Sequence, residues 1–293
     1  MTLYLPIANA EQIIKPNFDY PRLILNAKNE SKVLPRTFRE MNGKENTINI
    51  DNLHASASAQ FSYQSLIALK ERYNHRKLII VDLRQESHFF INGNAVSLYK
   101  TLNTANIEKS IDAIMNEEEG LVSLMRKSLY AEVYERVGEK KQNNWKITKM
   151  PVFSTHTEKQ LVESISLRYA RFNVTDHKHP SDEEVDRFLE FVKTLPKNYW
   201  LHFHCAGGKG RSTSFLAMLD MIRNGNKLSF DEVLTRQYEL KGADLRKASV
   251  MVRKIDYVDS LIDRNEFLEK FYDFVITSYL PSNQTAKWSE WVK

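Results

Sequence analysis

The chain has 293 residues, 42% of them hydrophobic, and a formal net charge of +5, which allows one large domain or two small ones of ordinary water-soluble composition. No apolar run reaches the length of a membrane span and no signal-peptide pattern opens the chain, so a cytoplasmic or a secreted, effector-like protein is expected. A single cysteine excludes an intramolecular disulfide, and the positive charge suits an anionic ligand, with no nucleic-acid-binding module to go with it.

The first fifty residues contain Pro6, Pro16, Pro21 and Pro35 and read as extended segments wrapped on a core. Leu34-Pro35-Arg36-Thr37-Phe38-Arg39 is a basic, aromatic patch. Ala55-Ser56-Ala57-Ser58-Ala59-Gln60-Phe61-Ser62 leads into an amphipathic helix carrying Leu66, Ile67 and Leu69. The β-branched run Lys77-Leu78-Ile79-Ile80-Val81-Asp82-Leu83 predicts a central strand. It delivers Asp82-Leu83-Arg84-Gln85-Glu86-Ser87-His88 to the end of that strand, where open α/β sheets place ligands. A surface ion cluster without a role in chemistry is the alternative.

Residues 89–160 change texture and read as an inserted subdomain, leaving residues 1–88 and 161–293 as the core. Asn92-Gly93-Asn94-Ala95 predicts a turn, possible in a hairpin. Residues 107–140 carry helical periodicity with heavy charge, including Glu117-Glu118-Glu119, and are expected to present a solvated face. Lys141-Gln142-Asn143-Asn144 reads as a linker, and a short strand is expected from Trp145 to Phe153.

Thr157-Glu158-Lys159-Gln160 is a capping box that opens a short helix. A strand over residues 167–174 delivers Thr175-Asp176-His177-Lys178-His179-Pro180. Ser181-Asp182-Glu183-Glu184 reads as another capping box, opening a helix that runs to about Thr194. A helix from Arg211 to Arg223 ends at Gly225, and Ser229-Phe230-Asp231-Glu232 caps the next. The remainder is helical in pattern and basic, with Lys241, Arg246, Lys247, Arg253 and Lys254, before a polar tail holding Trp288 and Trp291. Strands alternating with helices predict an α/β layer fold with a largely parallel sheet.

Everything centres on Trp200-Leu201-His202-Phe203-His204-Cys205-Ala206-Gly207-Gly208-Lys209-Gly210-Arg211-Ser212-Thr213. It reads as a buried strand, a glycine-rich loop and a helix start. A thiol at a helix N-terminus, with Arg211 able to curl back over it, is expected to be a thiolate at neutral pH. The glycines let the loop expose its amides, making a cradle for a tetrahedral dianion. No Gly-Lys-Ser or Gly-Lys-Thr follows, so this is not a nucleotide-binding Walker loop.

His204, Cys205, Gly207, Gly210, Arg211 and Ser212 resemble the signature of the protein tyrosine phosphatase superfamily. Together with residues 34–39, 58–62, 81–88, 96–99 and 174–177, they resemble the bacterial phosphatase-like inositol polyphosphatases, the cysteine phytases. That resemblance implies a protein tyrosine phosphatase-like α/β core, its mostly parallel sheet flanked by helices. It also implies a small partial β-barrel-like insertion at residues 89–160. The general acid carries over to Asp176. The aromatic usual two positions after the following histidine is His179 here, a departure.

Phosphoryl transfer through cysteine needs a nucleophile, donors for three oxygens, a proton for the leaving oxygen and a route to hydrolysis. Cys205 attacks. Arg211 and the amides of Ala206, Gly207, Gly208, Lys209 and Gly210 bind the oxygens. Asp176 gives the proton, Ser212 bonds the sulfur and His204 holds the loop from beneath. Arg39, Asp82, His177 and Lys178 are candidate substrate-binding residues, and Lys209 with them favours a polyphosphorylated small molecule. No metal or other cofactor is required. A protein tyrosine, dual-specificity or phosphoinositide phosphatase and a catalytically silent phospho-ligand module are the rivals. A metal site of His177, His179, His202 and His204 is a weaker alternative.

Overall fold

The computed structural model describes residues 13–41, 53–107, 109–139, 142–196, 198–246 and 259–293, with the backbone alone at Leu102 and residues 259–263. The expectations for Pro6, Lys247, Arg253 and Lys254 lie outside those residues.

Strand β4 (Lys77–Asp82) sets the layering. Ile79 and Val81 face one hydrophobic cluster, Leu78 and Ile80 another, and all four are buried. A strand covered on both faces reads as a continuous apolar run, and this run marks the middle of a parallel sheet. The sheet order is β10 (Arg168–Arg171), β4, β11 (Tyr199–Cys205), β3 (Ala55–Ala59) and β2 (Arg39–Glu40). β10, β4, β11 and β3 run parallel, and only β2 is antiparallel.

Helices α4 (Asp182–Thr194), α5 (Gly210–Asn224), α6 (Phe230–Glu239) and α7 (Asp259–Phe274) contribute to the cluster on the Ile79 face. Helices α1 (Tyr63–Arg72) and α3 (Glu158–Ser164) contribute to the other. The capping box at Thr157 forms with Gln160, and the one at Ser229 forms with Glu232. Ser181 caps α4 through Glu184 N. The C-terminal tail docks: Trp288 is buried against Phe267, Phe271 and Phe274, with its indole N–H donated to Asp182 at 2.7 Å.

A second, six-stranded sheet has the order β8 (Asn144–Pro151), β7 (Tyr130–Val137), β1 (Arg22–Ala27), β6 (Asn94–Tyr99), β5 (His88–Ile91) and β9 (Thr155–Thr157). β8 and β9 stand at its two ends, so no closed barrel forms among the described residues. β1, from the N-terminal segment, is built into this sheet. Asn92 and Gly93 make the two-residue hairpin turn with φ of 52° and 78°, the left-handed pair that suits a type I′ turn.

The helical reading of residues 107–140 holds only for its first part, α2 (Ile111–Arg126). Tyr130–Val137 is strand, because Ala131 and Val133 alternate inward and pack on Phe89, Ile91 and Val96. Of the stretch read as a linker, Gln142 and Asn143 lie between the paired strands β7 and β8 and Asn144 opens β8, while Lys141 lies outside the described residues.

The charged helix is not wholly solvated either. Glu118 is buried, with its Oε2 accepting from Arg171 Nη1 at 3.0 Å and from His88 N at 3.1 Å. Arg171 also lies 3.2 Å from Asp82, and its Nε donates to the Arg84 carbonyl at 2.9 Å. It therefore ties α2 to β10 and to the end of β4. Arg171→Met strands two buried carboxylates and should cost about 3–5 kcal/mol, read from urea unfolding. A loss within error of zero would remove Arg171 as the tie.

Candidate active site

Cys205 ends β11 on the same face as Leu201 and Phe203 and is 3% exposed. The loop that follows turns directly into α5, so the sulfur sits at a helix N-terminus, as expected. Gly208 has φ +66°, and a Cβ there would stand 2.2 Å from Ala59 N and 2.3 Å from the Ser58 carbonyl carbon. Only glycine lets the loop press onto β3. Ser212 Oγ donates to Cys205 Sγ at 3.3 Å.

Arg39 braces this turn from within. Its Nη1 donates to the Gly208 carbonyl at 2.7 Å and its Nη2 to Thr213 Oγ1 at 3.1 Å. Burial lowers its pKa to about 10, against the pull of the Cys205 sulfur, and its Nε makes no hydrogen bond. It reaches the site through the loop rather than standing free for substrate.

Arg211 is 1% exposed and is gripped by Glu86: Nη1 to Oε2 at 2.7 Å and Nη2 to Oε1 at 2.9 Å. Nη1 also donates to the Val174 carbonyl at 2.9 Å. This two-pronged pairing fixes the guanidinium plane. Nε is buried without a hydrogen-bond partner, the arrangement expected of a donor kept for an anion.

Glu86 was legible only as part of the charged cluster after β4. The structure makes it a buried brace, joined to Arg84 Nε at 2.8 Å. Burial would raise its pKa, but Arg211 and then Arg84 hold it near about 2.

Asp176 follows β10 and points at the same guanidinium. Oδ1 lies 3.1 Å from Arg211 Nη2, and Oδ2 accepts from Asn103 Nδ2 at 3.1 Å. His177, itself at φ 69°, gives its backbone N–H to Oδ1 at 3.1 Å, with its Nε2 3.2 Å from Oδ2. Burial favours the neutral acid here. Arg211, His177 and Asn103 outweigh it and hold the carboxyl well below the usual carboxylate range.

The neighbouring departure from the family pattern is absorbed. The His179 ring stacks on Phe267 at 4.9 Å and 8° between planes, so an aromatic face is kept. Arg264, a residue without a sequence signal, closes the same corner. Its Nη2 donates to the Lys178 carbonyl at 2.9 Å, and a Cβ on Gly210 would stand 2.6 Å from its Nη1.

One expectation needs correction. Asp82 does not face substrate. It is fully buried, taking Tyr169 Oη at 2.7 Å and the Arg84 N–H at 2.8 Å, with His88 Nε2 at 3.2 Å. Lys209 is exposed, but its ammonium is tied to the Lys241 carbonyl at 2.7 Å. Lys178 is exposed beside Asp176, and Gly207 forms the outer turn of the loop.

The four histidines do not converge. His202 bonds Ser56 and Ser58, each at 2.9 Å. His204, the residue before Cys205, has its Nε2 2.6 Å from Glu158 Oε1. His177 serves Asp176 and His179 stacks on Phe267. Asp82, His88 and Glu158 do gather ligand-type atoms within 4.8 Å of one another. Asp82 Oδ2, however, is already shared among Tyr169, Arg171 and His88.

A cysteine at the end of a parallel strand, a glycine-rich turn and a buried arginine at the following helix define a cysteine-phosphatase fold. The family profile described as PTP-like phytase, inositol hexakisphosphate, matches residues 81–223. A PTP-like phytase from Bdellovibrio bacteriovorus superposes with a TM-score of 0.75 at 30% identity, over 95% of this chain and 97% of that one. The PTP-like myo-inositol phosphatase from Mitsuokella multacida, solved with myo-inositol-(1,3,4,5)-tetrakisphosphate, gives a TM-score of 0.86 at 29% identity, over 95% of this chain and 48% of that one. Effector protein hopD2 of Pseudomonas syringae pv. tomato is 30% identical over 220 residues, 73% of this chain and 46% of that protein. The chain thus spans about half the length of hopD2 and of the Mitsuokella protein. It belongs to the protein tyrosine phosphatase-like phytase family.

The buried charges fix a stability window. Glu86 is depressed from 4.5 to about 2, so its contribution is present above 4.5 and lost as pH falls through about 2. His88 is disfavoured as a cation by burial, yet Asp82 raises it from 6.5 to about 9. Its contribution is complete below 6.5 and lost as pH rises through about 9. Urea midpoints should therefore peak between those arms, and His88→Gln should flatten the alkaline one. An alkaline decline unchanged in that variant would show that His88 is not its source.

Proposed function

We propose that this chain hydrolyses phosphate monoesters of inositol polyphosphates, inositol hexakisphosphate among them, through a phosphocysteine intermediate and without a metal. The observation that carries the reading is the unclaimed Nε of Arg211, buried in a guanidinium locked by Glu86 at the cradle of Cys205. Membership of the phytase family supports the substrate class.

The Cys205 thiolate attacks phosphorus, and the ester P–O bond breaks. Arg211 and the loop amides of residues 206–211 take the charge of the equatorial oxygens. Asp176 passes its proton to the leaving alkoxide. Water then attacks the phosphocysteine, Asp176 takes a proton from it, and the S–P bond breaks with phosphate released. Ser212, already bonded to Sγ, stabilises the departing thiolate. His177 and exposed Lys178 flank the acid where further phosphates of the substrate would lie. The effector relative supports the secreted alternative over a cytoplasmic one.

The acid has to carry a proton, yet Arg211 holds Asp176 ionised. A phosphate dianion arriving on Arg211 cancels that pull and adds negative charge beside the carboxyl, which favours protonation. Turnover of inositol hexakisphosphate should be highest on the acid side and fall between about pH 5 and about pH 8. Asp176→Asn should cost about 10²–10⁴-fold. A rate that climbs across that range would remove Asp176 as the acid.

Cys205→Ser should abolish phosphate release while calorimetry still detects inositol hexakisphosphate binding. Turnover near the wild-type rate would refute the nucleophile, and a preference for a phosphotyrosine peptide would refute the substrate class.

A further inference from the structure

Asn103, on the turn after β6, reaches Asp176 from the side of the second sheet. This residue closes a short turn after β6 in a left-handed conformation, φ 62°, which asparagine tolerates better than most residues. The turn is fastened at both ends. Thr101 gives its N–H and its hydroxyl to the Phe18 carbonyl at 3.0 and 3.2 Å. Phe18 in turn is held edge-on by Tyr99 and Trp145 at 5.0 and 4.9 Å. At the other end, buried Asn106 accepts the Ser87 N–H at 2.9 Å and donates to Glu117 at 2.8 Å. Asn103 is thus mounted on a turn fastened at both ends that does not belong to the loop carrying Asp176.

The two carboxylate oxygens of Asp176 have different surroundings. Oδ2 faces two side-chain donors, Asn103 Nδ2 at 3.1 Å and His177 Nε2 at 3.2 Å. Oδ1 faces Arg211 Nη2 and one backbone N–H, both at 3.1 Å. A phosphate on Arg211 competes for the guanidinium and takes a donor from Oδ1 alone. Oδ1 then has room for a proton, while Oδ2 stays filled by the donors of Asn103 and His177.

We propose that Asn103 is a positioning residue that fixes Asp176 by Oδ2, so that the transferable proton resides on Oδ1, the oxygen turned toward the phosphate site. The second sheet thereby takes part in the proton step through one amide. The inference rests on Asp176 being the general acid. The charged and titratable groups around that carboxyl are Arg211, His177 and, through Arg211, Glu86.

The test is Asn103→Ala assayed on two substrates. Inositol hexakisphosphate has an alkoxide leaving group that needs the proton. A nitrophenyl phosphate has a leaving group that departs with little help. Turnover of the first should fall about 10- to 100-fold through misorientation of the acid, with KM little changed, while the second stays near the wild-type rate. The descending limb of the pH profile should also move to higher pH, because a lost donor makes the carboxylate easier to protonate. Equal losses on both substrates, or a limb that does not move, would overturn the positioning role.

A wild-type protein that cleaves the aryl ester but not inositol hexakisphosphate would sink the proposed substrate class instead. The contact is then judged by a double-mutant cycle in thermal melting, Asn103→Ala against Asp176→Ala. Coupled losses support the contact and strictly additive losses overturn it.

Discussion

The grip of Glu86 on Arg211 is the interaction on which the rest of the site depends. A guanidinium on the first turn of α5 has many rotamers, and a single one has to be chosen. Glu86 selects it with two parallel hydrogen bonds, and the pair belongs to a longer chain of contacts. Glu86 takes Arg84 Nε, Arg84 Nη1 reaches Gln60 at 2.7 Å, Gln60 Nε2 reaches Glu158 at 2.7 Å, and Glu158 meets His204 at 2.6 Å. His204 immediately precedes Cys205. The chain therefore begins six residues after Cys205 and returns to the residue before it. Such buried charge is costly to assemble and costly to break at any one member. What it secures is the relative position of thiol and guanidinium.

The second sheet is part of that arrangement. Glu118 from α2, His88 from β5 and Glu158 from α3 all meet side chains of the central sheet. The second sheet and its helices are joined to the central sheet by buried polar contacts. A one-residue shift between the two sheets would leave several charges unpaired, so their registry is held tightly. This explains how the turn after β6 can present an amide to Asp176 with a fixed direction.

Much of this was legible in the sequence, and the reasons are local. The nucleophile loop declares itself because glycine, cysteine and arginine at that spacing serve few other purposes. The apolar run ending at Asp82 and the Asn92-Gly93 turn follow from burial and from left-handed backbone preference. Capping boxes at Thr157 and Ser229 need only four residues each. The errors came where tertiary context decides. Tyr130–Val137 was read as a continuation of α2, although its alternation of Ala131 and Val133 with charged neighbours carries a strand period. Glu118 looked solvated because nothing within its own helix reveals Arg171, 53 positions away. Asp82 looked like a ligand group because a strand's end is where ligands bind; here the end is roofed by β5 and α3. Arg264 and Asn103 had no signal, since each acts across the fold on a loop it does not adjoin.

The ion pair between Asp176 and Arg211 looks at first like an obstacle to catalysis. On the proposed mechanism the acid is held ionised and the arginine that receives phosphate is partly occupied. Both facts have one physical source: without a phosphate group, the carboxylate is the best anion within reach of a buried cation. A dianion carries more charge, and the open Nε gives it a donor that Asp176 does not use. When it displaces Oδ1, the carboxyl loses its strongest reason to stay ionised and gains a negative neighbour. Binding and acid activation are then the same electrostatic event. The mutual dependence runs both ways, because a carboxyl that acquires a proton no longer competes for the guanidinium. Protonation and phosphate binding promote each other, and acidic conditions favour both.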